Sequence, residues 1–466
     1  MRPIRLPEPP SPTIGVPEIF EGGAYSVIRR AVIIGNGYPG SENQSIGLVR
    51  ALGLYDKHVL YVTPFHFTPY LNLYSFALLI SRQRVTRPRG GINEWLLWLP
   101  VSLHQKLDYL IQLIQIYSRG RNYVPLPLEN GGGSVGLASV LEADVKQIVT
   151  MARQTFEKYF NIWDGPLLVV ASGRDTISVA SSIRRLASEN VFVIQIQHPR
   201  SQLNRFDLVI TPRHDFYPLT PQAQEQVPQF LHRWITPREP PDRHVVYRFV
   251  VNFLHQILTL GALHQIDSAT LRSTAAAWHD EFAPLPKPLL VVNIGWPTSH
   301  CRYGADLAKQ LTAYLLNILS SCGTVRISFS SRTPEKVSKI IVKEFADNPK
   351  VYIWDGQEPN PHMGHLAWAD AFVVTADSVS LISEACSTGY DHSLLILKPV
   401  YVMGPERCKW KLSDFHKSLR ERGVVRPFTG SEDIAESWSY PPLNDTAEAA
   451  SQVREALAER GWRVRP

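Results

Sequence analysis

Residues 371–389 read AFVVTADSVSLISEACSTG, and this stretch decides the fold class. Ala371 to Val374 is an apolar run of strand length, Asp377 and Ser378 form a polar break, and Val379, Ile382, Ala385 and Cys386 then recur on one helical face. Gly389 stands where such a helix ends. A strand that passes through a short polar turn into an amphipathic helix is half of a βαβ unit, the building block of parallel sheets. Asp377 or Ser378 is placed to cap the helix. Glu384 breaks the apolar face. It is either a surface acid or a carboxylate able to accept both hydroxyls of a ribose while the helix N-terminus holds a diphosphate.

The same alternation recurs on both sides of this segment. In the second half, strands are predicted at Leu289 to Ile294, Val325 to Phe329 and Val351 to Trp354, with helices at about Gly304 to Ser320 and Pro334 to Phe345. In the first half, strands are predicted at Ala31 to Ile34, Leu167 to Val170, Val191 to Ile196 and Leu208 to Ile210, with helices near Glu42 to Leu52 and Ile177 to Glu189. The expected fold is α/β: two Rossmann-like domains with mostly parallel sheets facing across a cleft. The boundaries that follow are a Pro-rich segment 1–25, a first domain 26–220, a connection 221–286, a second domain 287–440 and a C-terminal helix 441–466 that packs back on the first domain.

Composition limits the alternatives. With 44% hydrophobic and 19% charged residues over 466 positions, the chain has apolar material for two cores and is not a disordered polymer. Forty-eight basic residues against 42 acidic ones leave a formal charge of only +6, so nucleic acid is not an expected partner. Cys301, Cys322, Cys386 and Cys408 form no C-x-x-C pair and show no zinc spacing, and are expected to be buried free thiols; no metal is expected. The Pro- and Glu-containing N-terminus resembles neither a secretory h-region nor an Arg-rich presequence. The longest apolar stretch, Tyr70 to Ile80, is short of the ~20 residues of a spanning helix. Peripheral attachment to a membrane remains open. Two segments offer a route: a Leu stripe in Glu94 to Ser118, otherwise a buried helix, and the arginines Arg454, Arg460, Arg463 and Arg465, otherwise partners of a helix C-terminus.

In parallel sheets ligands sit outside the carboxyl ends of strands, and polar residues cluster there. Asn36 and Ser41 follow the first strand, Arg174 and Asp175 the next, His198 the third and Arg213 the last of the first half, while Ser331, Arg332 and Ser378 do the same in the second half. Each cluster also suits an ordinary capped turn. Gly35 to Gly40 matches G-x-G-x-x-G after a strand, yet the strand expected next ends Tyr61-Val62-Thr63 without the acid that grips a ribose. A tight turn presenting Asn36 and Ser41 is the favoured reading. Asp175, His198, His214 and Asp215 are general-base candidates only if the fold brings one to a substrate. No nucleophile–base pair or paired carboxylates stand out, so the catalytic residues stay unknown.

The strings IGNGYPGSENQSIGLVRALGL, ASGRDTISVASSIRRLASENVFVIQIQHPR, FDLVITPRHDFYPLTPQAQ and RERGVVRPFTG, with the stretch quoted first, resemble the plant mitochondrial fission family named for its elongated-mitochondria mutants. The resemblance runs the length of the chain. It implies a plant protein held peripherally on the cytosolic face of the mitochondrial outer membrane, with a cytosolic pool. There it would bring a dynamin-related GTPase to the fission site, with peroxisome fission as a further role. The family is similar to bacterial proteins of unassigned activity and to the two-domain glycosyltransferase architecture called GT-B. That second likeness implies the alternative function, a nucleotide-sugar-dependent glycosyltransferase, and suggests Ser331 and Arg332 for a diphosphate and Glu384 for a ribose. No resident cofactor is implied, only a nucleotide-sugar ligand. The chain departs from the family pattern at Trp296, where a glycine is expected, and in apolar extra segments at about 62–83, 247–258 and 390–397, the last beside Glu384.

Overall fold

Runs of Val, Ile and Leu without polar alternation belong in strands covered on both faces, and both large sheets of the computed structural model are built from them. The structure describes residues 27–35, 39–54, 80–84, 146, 148–150, 166–173, 176–199, 205–215, 255–357, 359–389, 398–436, 438 and 440–464. The Leu stripe of Glu94 to Ser118, the strand end Tyr61 to Thr63 and the segment 390–397 lie outside these residues.

A two-residue strand β1 (Val27–Ile28) precedes the first large sheet, which contains β2 (Arg30–Gly35), β3 (Ile80–Arg84), β4 (Leu167–Ser172), β5 (Val191–Ile196), β6 (Leu208–Pro212) and β7 (His255–Thr259). All neighbours pair in parallel, in the order β3-β2-β4-β5-β6-β7. The second sheet holds β8 (Leu289–Ile294), β9 (Thr324–Phe329), β10 (Val351–Ile353), β11 (Ala371–Thr375), β12 (Val400–Met403) and β13 (Arg426–Pro427). It is also parallel throughout, in the order β10-β9-β8-β11-β12-β13. The apolar segments that depart from the family pattern at 62–83 and 247–258 are therefore absorbed at their ends, as β3 and β7, because their backbone groups complete the two edges of the first sheet.

Helices cover both faces of each sheet. In the first, α1 (Pro39–Ala51) lies on one face and α2 (Ile177–Ala187) on the other. In the second, α5 (Ala305–Ile318) and α6 (Glu335–Phe345) line one face, and α7 (His362–Trp368), α8 (Val379–Ser387) and α9 (Lys411–Glu421) the other. Two helices of the connection, α3 (Ser268–Ala277) and α4 (His279–Phe282), join the second sheet's side of the molecule, where the Trp368 indole donates to the Ala275 carbonyl at 3.1 Å. The last helix, α10 (Asp445–Glu459), crosses back to the α1 face of the first sheet, inserting Ala449, Ala450, Val453 and Leu457. After it comes β14 (Arg463–Val464), paired in parallel with β1.

Candidate functional site

The two sheets turn their carboxyl ends toward each other. Helix α1 starts after β2 and helix α8 starts after β11, and their N-termini meet: a Cβ placed on Gly40 would lie 3.5 Å from the Ser380 hydroxyl. Ser41 and Ser378, chosen on opposite halves of the sequence, thus belong to adjoining helix starts. Asn36, Arg174 and Asp175 lie outside the described residues. His198 is buried after β5, and Arg213 is half-buried in the turn after β6.

At the tips of β8 and β11 the chain makes a tight polar knot. The Gly295 amide donates to the Thr375 hydroxyl at 2.8 Å and the Trp296 amide to the Asp377 carboxylate at 2.9 Å. Gly295 is required here, because a side chain on it would collide with Asp377. Asp377 is therefore committed to the neighbouring strand's loop, and Ser378, the N-cap of α8, makes no side-chain cap; the expectation that one of them caps the helix by a side-chain bond is corrected. Burial lifts the Asp377 carboxyl to about 6, against partial relief from Thr375 and the Trp296 amide. The Tyr303 hydroxyl lies against the same carboxylate, and burial raises its pKa. Ser331 and Arg332 are exposed on the loop after β9, which is tied to Gly295 by the Thr333 hydroxyl at 2.7 Å. The Arg332 guanidinium stacks 3.1 Å from the centre of the Trp296 ring, so the tryptophan that replaces an expected glycine has become the arginine's seat.

Glu384 is placed one layer deeper. It is 5% exposed, on the inner face of α8, and its Oε2 meets His362 Nε2 of α7 at 2.8 Å. Burial pulls the His362 pKa down, but the charge and hydrogen bond of Glu384 outweigh it, leaving a net rise. One turn on, His365 is held neutral, at about 3, by burial and by the charges of His362 and Arg326. Asn293, at the end of β8 and on the same side of the sheet, is 3% exposed, and its Nδ2 has no hydrogen-bond partner among the described residues. Arg332 and Glu384 thus engage different partners, a tryptophan face and a histidine.

Sequence reasoning did not single out His362 and His365. Their three-residue spacing on one helix face is visible in HMGH, but nothing local says that Glu384, 22 positions away, completes the pair. It also did not single out the junction between the domains. There the segment after β7 is gripped from both sides: the Asp445 carboxylate accepts the Leu260 and Gly261 amides, each at 2.8 Å, and the Ser383 hydroxyl accepts the Ala262 amide at 2.9 Å. His264 accepts the Ile266 amide on Nδ1 at 3.2 Å, so Nε2 carries the proton and donates to the Ser387 hydroxyl at 2.8 Å. Burial holds His264 neutral, at about 4. Of the other general-base candidates, Asp215 pairs with Lys411 across the domains, and His214 is packed on the Phe415 ring at 5.0 Å. Cys301 and Cys408 are bonded to each other, correcting the expectation of four free thiols, because the loop after β8 and the turn after β12 run side by side; Cys322 and Cys386 are free and buried. Among the described residues no group of His, Cys, Asp or Glu is arranged to hold a metal.

Residues 39–457 match the family described as Mitochondrial fission ELM1. The chain is 66% identical over 473 aligned positions, covering all of both chains, to the protein of Arabidopsis thaliana called Mitochondrial fission protein ELM1. It is 28% identical over 298 positions, 63% of this chain and 80% of the other, to an uncharacterized protein of Rickettsia prowazekii. Among solved structures, UDP-GlcNAc 2-epimerase from Methanocaldococcus jannaschii aligns with a TM-score of 0.46 at 11% identity, over 92% of this chain and 99% of its own. The enzyme of that name from Neisseria meningitidis bound to UDP-GlcNAc gives 0.46 at 12%, over 92% and 100%.

Proposed function

Because the chain belongs to the Mitochondrial fission ELM1 family, we propose that it works as a fission adaptor that holds a dynamin-related GTPase at the cytosolic face of the mitochondrial outer membrane, and at peroxisomes. The observation that carries this reading is the 66% identity to a named fission protein over the full length of both chains. The architecture suits the role. The polar groups at the strand tips are engaged with one another, Glu384 with His362 and Arg332 with Trp296. The inter-sheet junction is closed by buried hydrogen bonds, giving a stiff two-domain body on which a partner surface stays in one geometry. Among the described residues no helix is long and apolar enough to cross a membrane, which fits peripheral attachment. Depleting the protein and scoring mitochondrial length and the GTPase's punctate distribution tests the reading; longer mitochondria with dispersed GTPase are expected, and unchanged mitochondria with normal puncta refute it.

A nucleotide-sugar-binding body is the second reading, favoured by the buried Asn293 amide, which has no partner among the described residues at the end of a central strand, and by the paired helix N-termini. A nucleotide sugar present at 100 times its Kd would stabilise the protein by about 2.7 kcal/mol. Thermal shift with uridine and other nucleotide sugars therefore decides: a concentration-dependent rise supports a ligand site, and the absence of any shift leaves the adaptor alone.

A further inference from the structure

The arginines at the C-terminus are the first place to look for a contact with acidic lipid, and the fold has already engaged two of them. Arg460 bridges to Asp207 at 3.1 Å and stacks on Trp462 at 4.1 Å, and Arg454 donates to the Ala51 carbonyl at 2.6 Å. They fasten α10 to the first domain. A different basic surface is left outward.

It is a knuckle on the second domain, made where the loop after β8 lies antiparallel to the turn after β12. Cys301 and Cys408 join the two strands of the knuckle, and the Lys409 amide donates to the His300 carbonyl at 2.7 Å. Arg302, Lys409 and Trp410 project from it, exposed. Helix α9 begins at once, and its outer face carries Lys417 and Arg420, also exposed. Residues 407–426 hold seven basic side chains against two acidic ones, whereas the whole chain is nearly balanced. Arg302, Lys409 and Arg420 form no ion pair among the described residues.

Trp410 is the telling residue. It is 51% exposed, the largest value among the exposed large hydrophobics of the described residues, and its backbone sits at φ 57°, ψ −133°, a region that favours glycine. The surrounding structure imposes this, since Cys408 is bonded on one side and Lys411 bridges to Asp215 on the other. A rigid, outward tryptophan set among lysines and arginines has the chemistry of a bilayer interface, where the ring sits at headgroup depth and the cations meet anionic lipid.

We propose that this knuckle and the outer face of α9 form the surface by which the protein docks on an anionic lipid bilayer. Charge complementarity selects that occupant: around the amphipathic ring stand the exposed cations Arg302, Lys409, Arg420 and Arg422, and the one exposed acid of α9, Glu421, is engaged by Lys417. The proposal deepens the adaptor reading, on whose peripheral attachment it rests, by naming the surface that meets the membrane, and its vesicle test does not involve the GTPase.

The test uses the full-length protein and vesicles, either of phosphatidylcholine alone or with a third of the lipid replaced by phosphatidylserine, in co-sedimentation. Binding is expected to the anionic vesicles only and to fade as salt rises. Arg302→Gln with Lys409→Gln is expected to weaken it about fivefold per charge removed, so roughly twenty-five-fold together. Trp410→Gly is expected to weaken it as well while leaving Tm unchanged or higher, because glycine takes this backbone without strain. If Trp410→Gly lowers Tm, the double glutamine variant, confined to exposed side chains, decides alone. Equal binding to neutral vesicles, or wild-type binding by the double variant, overturns the proposal; in the second case the surface faces something else, such as an acidic protein.

Discussion

Replacing His362 with alanine strips the partner from a carboxylate that the fold has taken out of water. The Glu384 side chain is 7% exposed and that of His362 25%, with 2.8 Å between Nε2 and Oε2. Breaking a fully buried pair by removing one member costs about 3–5 kcal/mol, because the other charge is left uncompensated. The quarter exposure of the histidine lets water into the space it vacates, which brings the expected loss to about 2–3 kcal/mol. At roughly 2–4 °C per kcal/mol for domains of this size, Tm falls by roughly 5–10 °C. The sign of the pH dependence follows from the raised histidine pKa. The charged pair contributes fully below the unfolded-state value near 6.5 and is lost as pH rises through the folded-state value, so the penalty is larger at pH 6 than at pH 9. Thermal or urea unfolding of wild type, His362→Ala, Glu384→Gln and the double variant at both pH values gives the coupling directly, with about 1.5–3 kcal/mol expected at pH 6. Effects that add to within about 0.5 kcal/mol at pH 6, or a penalty that grows with pH, would show that the pair is not the ionic contact described.

Asp377→Asn tests the knot at the strand tips. The carboxyl stands about two units above its usual value, which corresponds to about 3 kcal/mol at ~1.4 kcal/mol per unit; a raised carboxyl pKa favours the fold below the unfolded value and loses that advantage as pH climbs through 6. Since an amide oxygen still accepts from Trp296, the variant is expected to be about 1–2 kcal/mol more stable than wild type at pH 7.5 and no more stable at pH 4, by denaturant titration. Asp445→Ala leaves the buried Leu260 and Gly261 amides unpaired; a loss of about 3–4 kcal/mol and faster proteolysis of the inter-sheet segment are expected. His264 is held near 4 by burial, below the unfolded 6.5, so its stabilisation is present above pH 6.5 and disappears as pH falls through 4, a change of about 3 kcal/mol. His264→Gln is expected to flatten the acid limb of the stability profile between those pH values without abolishing folding.

The backbone of the architecture was legible in single segments. LLVVNI, AFVVT and VFVIQI are buried at every position, and predominantly apolar runs of that length between amphipathic helices have few homes outside a parallel sheet. The second domain's strand β12 and helix α9 were not picked out, because VYVM is too short for a period and α9 is polar on all but its inward positions. At the site, Ser378 and Glu384 were legible as a helix start and a break in an apolar face. Their consequences were not. Whether Glu384 met a ribose, the solvent or a histidine depended on α7 arriving over the same face of the sheet, and the pairing of Cys301 with Cys408 depended on two loops 107 residues apart running side by side.

From its order of residues alone the chain determined the central strands of both sheets and the amphipathic helices between them, and hence an α/β fold, because periodicity acts over a few neighbours. Its family, too, was written in long local strings. Only the tertiary structure decided what those units do to each other: that α1 and α8 meet end to end, that Asp445 and His264 close the junction, and that Trp410 is held outward. These are contacts between residues tens to hundreds of positions apart, and no local pattern encodes the partner of a buried charge until packing brings the two together.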